Sequence, residues 1–138
     1  MKVVCLPRPE HVDLAELFLR KAASDLAAAR TLAADIDQQD DVVGFHLQQA
    51  VEKSFKALLA LGAVKVRPTH DLDFLVDLLK ENGIDPPSPL NDADWLSPWA
   101  VSARYDDDAE VLDRGEALAF ATSALAWAQS RVAASGGG

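Results

Sequence analysis

Four side chains on one stretch of the chain are of types that can do chemistry together: His46, Gln49, Lys53 and Lys56. Their spacing of three, four and three residues sets them in one row along an α-helix. Two ammonium groups, an imidazole and a carboxamide in a row can form a local basic patch. Glu52 stands four residues before Lys56, the favourable order for a helical ion pair. The plainer reading of such a row is a solvated polar face. Other polar residues could converge on it. Asp25 interrupts an apolar helical face, so it either sits at the edge of that face or reaches a cation on a neighbouring helix. His70-Asp71 stands near a helix start, where His70 is equally suited to local hydrogen bonding. Arg104-Tyr105 follows a short aromatic segment, and there Arg104 has Asp106, Asp107 and Asp108 as local partners.

The elements that must position these residues are all helical. Phe45 to Gly62 carries an apolar stripe of Leu47, Val51, Phe55 and Leu58, widened by Ala50 and Leu59, opposite the polar row. Gly62 is a good C-terminal stop. A first helix is expected from about Asp13 to Ile36, with Leu14, Phe18, Ala22, Leu26, Ala29, Ala33 and Ile36 on its inner face. The acidic stretch Asp35 to Asp41 makes the turn between the two. After Pro68, Thr69 is the expected N-cap of a third helix whose core face is Leu72, Leu75, Val76 and Leu79, closed by Asn82-Gly83. A proline-rich connection leads to a short helix from about Asp92, with Pro98 awkwardly inside it. The last helix is expected from Arg114 to Ala133, with Ala117, Ala121, Leu125, Ala128 and Val132 inward. The fold expected is all-α: an up-and-down four-helix bundle with an extra short helix. Residues 1–12 read as an N-terminal arm, 13–133 as the bundle and 134–138 as a flexible tail.

Composition narrows the function classes. The 138 residues suffice for one domain with a real core. No apolar run approaches the ~18 residues of a membrane span, and the N-terminal residues are too weak for a signal peptide. One cysteine excludes an internal disulfide and fits a reducing cytoplasm. Thirteen Lys and Arg against 22 Asp and Glu give a net charge of −9, so contact with a polyanion needs a local basic patch. There is no phosphate-cradling glycine loop, no HExxH and no G-x-S-x-G. The three histidines are too scattered to indicate a metal site, and the residues suggest no cofactor. Trp95 and Trp99 suggest more aromatic surface than a small bundle covers, hence a homodimer, unless both fold back on the second and last helices.

Taken together, FHLQQAVEKSFKALL, THDLDFL and AVSARYDD resemble the HEPN domain in its small stand-alone bacterial and archaeal form, over roughly Asp13 to Ala133. The family pattern falls on Asp25, His46, Gln49, Glu52, Lys53, Lys56, Thr69, His70, Asp71, Leu72, Arg104 and Tyr105. The resemblance implies a four- to five-helix bundle that commonly dimerises. It also implies a frequent minimal nucleotidyltransferase neighbour, the pair forming a toxin–antitoxin-like or substrate-binding unit. A nucleotide or RNA ligand would then meet Lys53, Arg104 and Lys56 at phosphate oxygens, and His46, His70 and Tyr105 at base or sugar. The alternatives are a metal-independent RNase toxin using His70 or His46 with Arg104, and a purely structural partner subunit. RNase members carry Arg, four to six residues, then His on the last long helix. Here that helix has no His, so the reading leans away from an enzyme.

Overall fold

The computed structural model describes residues 9–101 and 111–136. Five helices follow in order: α1 (Pro9–Ala33), α2 (Asp40–Leu61), α3 (Leu72–Glu81), a 3-10 helix (Asp94–Ala100) and α4 (Arg114–Gly136). Among the described residues there is no strand, and no helix is long and apolar enough to cross a membrane. The all-α bundle expected from the sequence is therefore the fold. α2 is its axis, packing against α1, α3, α4 and the 3-10 helix. α1 and α4 also pack on each other, while α3 and the 3-10 helix form a cover over α2.

Leu47, Ala50, Val51, Phe55, Leu58 and Leu59 of α2 are all buried, as the stripe required. So are Leu72, Leu75, Val76 and Leu79 of α3, and Ala117, Ala121, Leu125, Ala128 and Val132 of α4. The inner face of α1 is shifted at its ends. Ala15, Ala22, Leu26 and Ala29 are buried, but Leu14 is 43% exposed and Ile36 is 91% exposed, beyond the end of the helix.

Several helix ends depart from expectation. α1 starts at Pro9, inside the residues read as an arm, because proline is tolerated in the first turn and Glu10 suits its positive end. The N-cap of α3 is Asp71, whose carboxylate accepts the Phe74 N–H at 3.1 Å. Thr69 instead accepts the N–H of Asp71 at 3.0 Å. α4 runs on to Gly136 through an alanine-rich turn, into residues read as a tail. The α2 stop spans two residues: Gly62 is the C-cap, and Ala63 takes the left-handed conformation at φ 58°. Ala63 N–H bonds to Ala60 O and Val64 N–H to Leu59 O, the double closure of a Schellman turn. α3 closes the same way, with Gly83 in the left-handed position.

Trp99 folds back on the bundle, while Trp95 packs on α4 and stays 38% exposed, which weakens the aromatic argument for a dimer. Trp99 is 2% exposed and lies on Gly44 of α2; Trp95 meets Phe120 of α4 edge to face at 5.2 Å. Arg114 ties the start of α4 to the α1–α2 turn. It donates to Asp40 Oδ1 at 2.9 Å, Ala33 O at 3.1 Å and Asp35 O at 3.0 Å, and also to Gln38 O. The other Asp40 oxygen accepts the Leu112 N–H.

Candidate functional site

The polar row of α2 faces two elements, α1 and the connection that enters α3. Against α1, Asp25 projects from the alanine-rich face with its side chain 14% exposed. Its Oδ1 lies 2.9 Å from His46 Nδ1, and its Oδ2 accepts from Lys53 Nζ at 2.5 Å. The interruption of the apolar face is thus explained by a cation and an imidazole on the neighbouring helix. A half-buried carboxylate without such partners would be costly.

Against the connection, Glu52 is the hub, with its side chain 5% exposed. Oε2 accepts from Lys56 Nζ at 3.0 Å, and Oε1 lies 2.8 Å from His70 Nδ1. Gln48 and Gln49 also donate to Oε1, at 3.3 and 3.4 Å. Gln49 donates to Gln48 Oε1 at 2.8 Å, and Gln48 donates to the backbone carbonyl of His70 at 2.9 Å. Lys56 reaches the carbonyl of Thr69 at 3.4 Å. Buried polar groups demand this kind of mutual satisfaction, and here it sews the 62–71 connection onto α2.

An ionised carboxylate only accepts, so both histidines present Nδ1–H to their carboxylates. Each ring is held by one nitrogen, with Nε2 left for another partner. Among the described residues, neither Nε2 has one. His70 is the more open of the two, its side chain 65% exposed.

Asp25, His46 and Lys53 form one cluster; Gln49, Lys56 and His70 meet around Glu52 in a second. Both lie along α2, and no described contact joins them. Arg104 and Tyr105 lie outside the described residues. Sequence reasoning missed the weight of Glu52 and Gln48. Their spacing of four, beside Leu47, Val51 and Phe55, was the available signal, since it puts both within the buried arc of the helix. The electrostatic surroundings are uneven. At the α3 start, partial desolvation, then Asp77, Asp94, Asp71 and Asp92, raise the Asp73 carboxyl above its ordinary value. That side of the molecule is anion-repelling, unlike the lysine-bearing row.

No curated protein and no solved structure gives a significant match to the chain. The family model described as HEPN domain matches residues 15–131. That span contains α2, both carboxylate clusters and most of α1 and α4, so the chain belongs to the HEPN family, a membership that supports a general nucleotide- or RNA-related function.

Proposed function

We propose that the protein is a nucleotide-binding module, the partner subunit of a minimal nucleotidyltransferase in a toxin–antitoxin-like pair, and that it acts as a homodimer. One observation carries the reading. Two carboxylates, Asp25 of α1 and Glu52 of α2, each hold a lysine ammonium of α2 and a histidine ring: Asp25 with Lys53 and His46, Glu52 with Lys56 and His70. The side chains are therefore fixed before a ligand arrives, which lowers the entropy lost on binding. In this reading the lysines share their charge with phosphate oxygens and the free Nε2 atoms meet base or sugar. The family pattern also includes Arg104 and Tyr105, which lie outside the described residues. The dimer rests on family membership, since HEPN domains commonly dimerise.

The test is a thermal-shift panel of nucleotides and short RNA oligomers. Ligand-induced stabilisation should vanish in a Lys53→Ala, Arg104→Ala double variant that still folds. If no nucleotide or RNA stabilises the wild type, the reading fails. If the double variant unfolds, the cluster is a structural ion network. Light scattering with and without the nucleotidyltransferase tests the assembly.

A second reading, a metal-independent RNase, is favoured by the Glu52–His70 pair. A carboxylate-held imidazole with an exposed Nε2 is a suitable general base. Its test is RNA cleavage by the purified protein that is lost in His70→Ala, and the missing Arg-x4-6-His spacing weighs against it.

A further inference from the structure

A cleft of about 600 Å³ opens where the first half of α1, the end of α2 and the 63–68 connection meet. It is away from most of the polar row, and of the candidate site residues named from the sequence only Lys56 lines it. Its walls are apolar, with Leu14, Phe18, Val64 and Val66 among them. Its ionisable lining residues are His11, Lys56, Lys65 and Arg67, every one of them basic. That is a marked segregation in a chain whose acids outnumber its Lys and Arg by 22 to 13.

These cations are not equally engaged. Lys56 is committed to Glu52, and the Arg67 guanidinium lies 4.1 Å from the Phe74 ring centroid. Lys65 and His11 have no partner among the described residues. The carbonyls of Leu58, Leu59 and Ala60 at the α2 end are already taken by the N–H groups of Gly62, Val64 and Ala63. The negative end of the helix therefore presents few bare acceptors to the cleft. The size and the mix of apolar walls with a few convergent polar groups are those of a small-molecule site.

We infer that this cleft binds a small amphipathic anion: an apolar body against Leu14, Phe18 and Val64, and one acidic head group between Lys65 and Arg67. The site shares only Lys56 with the nucleotide reading, which it neither needs nor supports.

The test titrates the full-length protein with anilinonaphthalene sulfonate, an aromatic body bearing one sulfonate, read by fluorescence. Saturable binding at one site is expected, displaced by octanoate but neither by octanol nor by inorganic phosphate. Lys65→Glu combined with Arg67→Glu should weaken binding about tenfold or more, because it reverses two charges beside the head group. Leu14→Glu, at a half-exposed wall position, should abolish it. Lys65→Glu alone alters a residue with no described partner, so it keeps the fold and still weakens binding. Non-saturable binding, or affinity unchanged in the lysine variant, overturns the inference. Displacement by octanol as effective as by octanoate overturns the head-group assignment, and displacement by phosphate alone overturns the amphipathic one.

Discussion

Replacing Gly44 by alanine puts the contact between α2 and the 3-10 helix under a direct test. A Cβ at Gly44 would lie 2.5 Å from Cε3, 2.7 Å from Cδ2 and 3.0 Å from Cγ of Trp99. Ordinary carbon contacts begin near 3.4 Å, so the indole must retreat. It cannot do so by bending a free end, because Cγ is the root of the ring and Trp99 is 2% exposed. Overpacking of this kind costs ~1–3 kcal/mol. Alanine in a helix interior returns about 1 kcal/mol relative to glycine. The balance is a net destabilisation of up to ~2 kcal/mol, read as a lower urea midpoint with unchanged slope. The sharper measurement is a cycle with Trp99→Ala, itself expected to cost ~3–5 kcal/mol. In that background the steric conflict is gone and Gly44→Ala should stabilise by about 1 kcal/mol. The difference between the two backgrounds corresponds to a coupling of ~1–3 kcal/mol. If Gly44→Ala stabilises the wild type by about 1 kcal/mol, the helix term acts alone and Trp99 does not rest on α2.

Further perturbations follow from the same structure. Glu52→Ala removes the acceptor shared by Gln48, Gln49, Lys56 and His70 and should cost ~3–5 kcal/mol in chemical denaturation, with a loss under ~1 kcal/mol excluding a buried hub. Arg114→Ala removes donors to Asp40 and three carbonyls, and ~2–4 kcal/mol should disappear from the melting free energy, whereas a surface ion pair alone would yield at most ~1 kcal/mol. Ala63→Gly should raise the urea midpoint by the equivalent of ~0.5–1 kcal/mol, because it relieves a left-handed alanine; a lower midpoint would refute the strain.

The sequence was most legible where one periodic signal decided the outcome. The Leu47–Val51–Phe55–Leu58 stripe fixed the buried side of α2, and Asp25 announced a missing cation because a carboxylate stood where alanine and leucine were expected. Two adjacent capping signals were harder. Thr69 and Asp71 are both good acceptors for N–H groups, and which one caps α3 depends on where the chain leaves the α2 connection. Glu52 looked like one half of a surface pair with Lys56, since i,i+4 spacing is the same on a wet face and a dry one. Only the packing of the 62–71 connection over α2 makes it a hub. Gly44 carried no sign of Trp99, fifty-five residues later, because close approach is a property of the assembled fold. Arg114 likewise joins segments with no local relation in sequence.

The alanine face of α1 gives the Asp25 pairs a further meaning. Ala15, Ala22 and Ala29, all fully buried, recur every seven residues. Sliding α1 along α2 by seven positions, roughly 10 Å of helix rise, would set alanine where alanine had been and Leu19 where Leu26 had been. At the positions of Ala22, Leu26 and Ala29, apolar burial alone does not distinguish the two alignments. In the slipped one, however, Phe18 would confront His46 and Lys53, and Asp25 would be carried away from both. The carboxylate works as an index mark on an otherwise smooth rail, holding the helices at the one setting that brings the α2 polar row opposite its partners.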